Sequence, residues 1–201
     1  MEFDQGHALI VGAGGDLPNT VDDARGLAAV LTDLGRCAYP TAQVRMLTGP
    51  EADRLQILNA LDDLASSTTK DSTVVVYFSG HGCRVPAGAD WRYFILPFGY
   101  DMARLPDSAI DGELFRTRLA SVLAKKMLLL FDCCHAGGLE AAKAPGLEKA
   151  VLPAASEAML AAGQGRVVIA SSTAEEISLA DRKSTRLNSS HIQKSRMPSS
   201  A

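Results

Sequence analysis

Apolar and polar positions alternate along this chain in two distinct rhythms. Continuous apolar runs occur at His7–Val11, Val44–Leu47, Thr73–Phe78, Met127–Phe131 and Arg166–Ser171. Each is short, rich in β-branched or aliphatic residues and bounded by turn formers, so each predicts a buried strand. Between them the spacing becomes helical. Val21, Ala24, Leu27, Leu31 and Leu34 predict a first helix, capped by Asn19 or Thr20. Leu55, Leu58, Leu61 and Ala65 predict a second, after a turn at Thr48–Pro50. Leu114, Phe115, Leu119, Val122 and Leu123 predict a third, capped by Asp111. WRYFILPFGYD reads as a shorter strand limited by Pro97. Strands separated by helices imply right-handed crossovers and an α/β fold whose mostly parallel sheet is covered on both faces.

Two of the apolar runs end in polar signatures. VVVYFSGHG closes at Gly82 and LLLFDCCHAGG at Gly138. Small residues there predict sharp turns, which would put His81 and Cys134 at strand ends. In an open parallel sheet the carboxyl ends of the strands line one edge, where ligands bind. An imidazole beside a thiol raises the thiolate fraction and can later protonate a leaving group.

Composition narrows the class. The chain has 201 residues, enough for one domain with a substantial core. Residues 1–181 hold all 23 acidic side chains and 15 of the 20 basic ones, a net charge of −8, which argues against nucleic acid as a partner. From Arg182 the composition changes to RKSTRLNSSHIQKSRMPSSA, with five basic residues, six serines, no acids and no apolar period. We read 182–201 as a non-native disordered tail, so that His191 has no catalytic role and 1–181 is the domain. The N-terminal MEFDQGHALIVGAGG has acids where a secretory signal carries basic residues, and its apolar stretch is too short for a bilayer. The expectation is a soluble cytoplasmic protein with no membrane partner. Cys37, Cys83, Cys133 and Cys134 show no metal-type spacing and no disulfide framework.

GAGGDLPNT, after the first strand, invites a dinucleotide reading. The fingerprint needs a third glycine where Leu17 stands, so a tight turn is the better account. Residues 139–165 read as a long exposed connection, with one short helix around Glu157–Ala162.

FSGHG and DCCHAG, with 53 residues from His81 to Cys134, resemble the caspase-like cysteine peptidases, particularly the metacaspases and their bacterial relatives. ALIVG, LPNTVDDA and VVIASS extend the resemblance from about His7 to Ser172. It implies a caspase-like three-layer α/β/α sandwich, with a p20-like region and the start of a p10-like region. The family domain continues past that last strand with a further strand and helix, so the fold reads as truncated at its C-terminal end.

The resemblance further implies a cysteine-type endopeptidase with Cys134 as nucleophile and His81 as its acid–base partner. Cys133 would face the opposite side of the sheet as a small core residue, and His135, adjacent to the nucleophile, would have a positioning role. Backbone N–H groups of Gly82 and Cys134 would form the oxyanion hole. Thr20, Asp23, Ser79 and Asp132 map onto the specificity pocket, with threonine where metacaspases commonly have cysteine. Two carboxylates there favour protein or peptide substrates with arginine or lysine before the scissile bond. Read alone, Thr20 and Asp23 are also spaced as a capping box, and Asp132 could bond a neighbouring loop.

Many metacaspases respond to calcium. Asp111 and Glu113 resemble part of a calcium cluster, but with Glu140 they supply few ligands, so no cofactor and no metal site is expected. Lys143, Lys149 and Arg166 offer self-cleavage positions in or beside the exposed connection. Two rival readings are a catalytically silent caspase-like interaction domain and a nucleotide-binding module using the GAGG loop.

Overall fold

The computed structural model describes residues 2–135, 148–149 and 165–170, with the backbone alone at 134–135 and 148–149. Among the described residues, eight strands form one sheet. β1 (Gly6–Gly12) pairs in parallel with β2 (Val44–Thr48) on one side and β3 (Thr73–Ala87) on the other. β3 pairs in parallel with β6 (Lys126–His135), and β6 with β8 (Arg166–Ala170). β4 (Asp90–Leu96) runs antiparallel to β3 and carries the two-residue β5 (Ile110–Asp111). β7 (Glu148–Lys149) is also antiparallel to β3.

Alternation along the strands sorts the core into two layers, because successive side chains leave opposite faces of a sheet. Leu9, Val11, Val74, Val76, Phe78, Leu129, Phe131 and Cys133 pack with α2 (Arg54–Ser67) and α4 (Gly112–Ala120). Ala8, Ile10, Val75, Tyr77, Leu128 and Leu130 pack with α1 (Asn19–Thr32) on the other face. Ile10 and Phe78 are withdrawn from solvent, and burial of each side chain contributes about 2 kcal/mol. The three-layer α/β/α sandwich follows directly from these two stripes. Among the described residues, no helix is long and apolar enough to cross a membrane.

Several boundaries differ from the sequence expectation. Neither Asn19 nor Thr20 caps α1: Pro18 is the N-cap, in helical conformation, and makes no side-chain cap bond. α1 ends at Thr32, leaving Leu34 exposed beyond it, while Leu55 at the start of α2 and Leu123 after α4 also face solvent. The buried stripe of α2 keeps the expected Leu58 and Leu61 and adds Ile57, Ala60 and Leu64, and Asp53 caps that helix by accepting from the Gln56 N–H. The expected cap of α4 is present: Asp111 accepts from the N–H groups of Glu113 and Leu114.

The largest correction concerns the two signatures. The chain does not turn at Ser79–Gly82; β3 continues through them to Ala87 and turns at Gly88 into β4. β6 likewise continues through Cys134 to His135. What ends near His81 is a pairing. β1 accompanies β3 only as far as Gly12 opposite Ser79, and β4 joins β3 from Leu96 opposite His81. The long connection also contains a strand, β7, within 139–165. The expected helix at Glu157–Ala162, the residues Glu140 and Lys143, and the tail from Arg182 with His191 lie outside the described residues.

Candidate active site

Where β3 exchanges β1 for β4, two rows of residues cross the α1 face of the sheet. In the first, Gly12, Ser79 and Asp132 are register partners on β1, β3 and β6. In the second, two residues further along, His81 of β3 is the register partner of Cys134 of β6. Adjacent strands lie about 4.8 Å apart, and two residues span about 6.6 Å along a strand. Pairing alone therefore brings the histidine and cysteine positions side by side, with the Ser79–Asp132 row next to them. Gly80 partners Cys133, whose side chain is buried in the core on the α2–α4 face, as expected for the cysteine that is not at the site.

His81 is almost completely buried, at 5% exposure. Its Nε2 lies 2.9 and 3.0 Å from the two carboxylate oxygens of Asp16, and its Nδ1 has no hydrogen-bond partner among the described residues. Asp16 is not among the candidate site residues that the sequence motifs mark. It follows the two glycines of the GAGG segment, Gly14 and Gly15, whose φ angles of 67° and 68° favour residues without a Cβ. Those glycines turn the chain back across the end of β1, which confirms a tight turn and gives it a purpose: presenting Asp16 to His81. An acid immediately after such a turn was the available signal, but its partner lies 65 residues away.

Thr20 is buried and serves this same loop. Its hydroxyl accepts from the Gly14 N–H and donates to the Leu17 carbonyl, each at 2.8 Å. α1 approaches β1 closely enough that a Cβ on Gly12 would stand 2.4 Å from the Thr20 carbonyl oxygen. Both bonds of the hydroxyl are local, so Thr20 holds the loop that carries Asp16. Thr20→Val keeps the shape but strands a buried N–H, and is expected to cost about 1–3 kcal/mol in a urea unfolding series.

Asp23 on α1 lies within the electrostatic reach of Asp132 on β6. Burial raises the Asp23 carboxyl above its ordinary range, and the negative charges of Asp132 and then Asp22 raise it further. The Ser79 hydroxyl lies 3.5 Å from an Asp132 oxygen, at the long limit of a hydrogen bond. Asp23, Ser79 and Asp132 thus lie near one another, and the Thr20 hydroxyl is already engaged by its own loop. Gly82 has register partners on both sides, Ile95 and His135.

Asp111 and Glu113 both have partners within the protein. The Asp111 carboxylate caps α4 and accepts from the Arg92 guanidinium, while Glu113 accepts from Arg116. Calcium takes six to eight oxygen ligands, and the described residues contain no group of three or more His, Cys, Asp or Glu placed to hold a metal. Arg166 donates to the Val122 carbonyl from within β8, and Lys149 belongs to β7. Arg166 thus opens the last strand, beside the connection as expected, whereas Lys149 is paired in a strand within it.

The α/β/α sandwich thus sets a histidine and a cysteine position in register on neighbouring parallel strands. The caspase domain model of peptidase family C14 matches residues 5–194, and the chain belongs to that family. Metacaspase-6 of Arabidopsis thaliana is 29% identical over 140 residues, covering 64% of this chain and 36% of that protein. Metacaspase-8 of the same plant is 25% identical over 145 residues, covering 66% and 37%. The chain thus spans little more than a third of the length of these relatives. The fold is shared with the crystal structure of protein GSU0716 from Geobacter sulfurreducens, at a TM-score of 0.50 and 21% identity, covering 66% of this chain and 51% of that one.

Proposed function

We propose that this chain carries the active site of a cysteine endopeptidase that cuts after arginine or lysine, with Cys134 as nucleophile and His81 as acid–base partner. The observation that carries the reading is the register pair His81–Cys134, which follows from backbone pairing along the whole β3–β6 ladder. The thiol proton passes to His81, the thiolate attacks the scissile carbonyl, and His81 returns the proton to the departing amine. A water molecule then hydrolyses the thioester. Asp23 and Asp132 supply the negative charge for a guanidinium or ammonium group, and Ser79 adds a hydroxyl beside them.

A nucleotide reading fares worse, since the GAGG loop presents the carboxylate of Asp16, which repels phosphate. The silent-domain reading draws on one observation: Gly82 is flanked by strands on both sides, so its N–H reaches a substrate oxyanion only after the local ladder opens.

One experiment separates the readings. An arginyl chloromethyl ketone is expected to label Cys134 at least tenfold faster than its aspartyl counterpart, the least that one charge-assisted contact supplies. Mass spectrometry of the digested protein locates the label. No labelling would favour the silent domain, and faster aspartyl labelling would overturn the basic preference.

A further inference from the structure

Asp16 is the group in this site that neither the family relationship nor the sequence reading accounts for. Both of its oxygens lie within 3.0 Å of the His81 Nε2, although the carboxylate side chain is 54% exposed and the imidazole 6%. A carboxylate only accepts hydrogen bonds, so the ring nitrogen facing it carries the proton. In the neutral ring Nδ1 then keeps its lone pair. Nδ1 is also the atom with no partner among the described residues.

The support behind Asp16 is continuous. Gly14 and Gly15 turn the loop, the Thr20 hydroxyl bonds the Gly14 N–H, and the Leu17 N–H donates to the Gly14 carbonyl at 3.2 Å. On the other side stands Tyr100, packed against Cys83, Phe94 and Leu96; its phenol is raised by burial first and then by the charge of Asp16. The loop thus holds the carboxylate at the Nε2 edge of a buried ring.

We infer that Asp16 is the positioning residue of the site: it selects the Nε2–H form of His81, leaves Nδ1 free to receive the Cys134 proton, and steadies the imidazolium that results. The inference rests on the peptidase reading for the identity of the proton donor, but the tautomer does not. When the thiol ionises, the S–H bond breaks, an N–H bond forms at Nδ1, and the Nε2–H remains on the ring toward Asp16. No proton transfer to Asp16 is required.

The test uses full-length protein carrying Cys37→Ser, because Cys37 is an exposed cysteine whereas Cys83 and Cys133 are buried. Nitrogen-15 spectra of the histidines, with His81 assigned through His81→Gln, should show the Nε2–H form. Asp16→Asn and Asp16→Ala should shift His81 toward a tautomer mixture and slow iodoacetamide alkylation of Cys134 by about tenfold, less than the roughly hundredfold or more of a lost general base because His81 itself remains and Asp16 is half exposed. Asp16→Glu should recover part of the rate. With a cleavable arginyl peptide, kcat should fall and KM stay within about twofold, the pattern of an interaction made only in the transition state. Circular dichroism establishes that each variant is folded, and Asp16→Asn retains the shape if Asp16→Ala does not. Unchanged His81 nitrogen shifts and an unchanged alkylation rate would overturn the inference. If Asp16→Asn alters both while the parent cleaves no peptide, the positioning role stands and the peptidase reading falls.

Discussion

Cys134→Ala is expected to abolish peptide hydrolysis and active-site labelling, while Cys133→Ala is expected to keep both. Removing a nucleophile that forms the covalent intermediate costs all turnover through that intermediate, a loss of at least about a thousandfold against what binding alone retains. Cys133 is one residue away but on the other face, 4% exposed among Phe131, Tyr93 and the α2–α4 layer. Shortening it leaves a small cavity and should cost about 1 kcal/mol in unfolding experiments with no direct effect on the chemistry. Turnover per labelled active site, measured on both variants, separates the two roles. If Cys133→Ala lost turnover while remaining folded, the face assignment read from the strand would be wrong. Cys83 should stay unreacted in both, since burial pushes its thiol up to about 11.

Asp132→Asn is expected to weaken arginyl substrates by about tenfold to a hundredfold, mainly through KM, because it removes one charge-assisted contact worth about 1.5–3 kcal/mol. It makes a second, independent prediction about Asp23. The Asp23 carboxyl is raised by burial and then by repulsion from Asp132 and Asp22. Deleting the Asp132 charge makes the ionised form of Asp23 easier to reach, so its pKa should fall. The sign for stability follows. A carboxyl raised in the folded state binds its proton more tightly there than in the unfolded chain, so it favours the folded state increasingly as pH drops through the raised value and opposes it above. With Asp132 neutral, that pH dependence should shrink. A carbon-13 titration of the Asp23 carboxyl checks the shift. An unchanged Asp23 titration would mean the two carboxylates do not face one another, and the pocket would lose its basis.

How far the site could be read from residue order depends on the kind of pattern involved. β1, the first half of β3 and β6 were legible because buried parallel strands are apolar along their whole length; β2 and β8 were legible from the same kind of run, but contrary to the expectation of buried strands they leave Met46, Val167 and Ile169 exposed. Their register was not written there, yet the length of the apolar runs before His81 and Cys134 matched well enough to align them. The continuation of β3 was hidden. Ser79-Gly80-His81-Gly82 has the composition of a turn, and it remains extended because β4 and β6 pair with it on either side. Tertiary pairing overrides local preference at such positions. Thr20 illustrates a different difficulty. Its spacing from Asp23 fits a capping box, but Pro18 already starts the helix and the hydroxyl turns to Gly14 instead. Asp16 was illegible for the simplest reason: one acid in a polar loop carries no period, and only the folded sheet puts His81 beside it.

The exchange of partners along β3 also ties chemistry to folding. His81 and Cys134 are joined by a parallel ladder that begins at Thr73 and Lys126 and runs ten residues to Gly82 and His135. Contacts between segments so distant in the chain form late, because closing the intervening loop must precede any gain from pairing. A slip of one residue in that ladder would send cysteine and histidine to opposite faces. A partly folded chain therefore contains an ordinary thiol and an ordinary imidazole, and the pair exists only once the central sheet has closed in its one correct alignment. A misregistered ladder would therefore leave the proposed dyad unassembled.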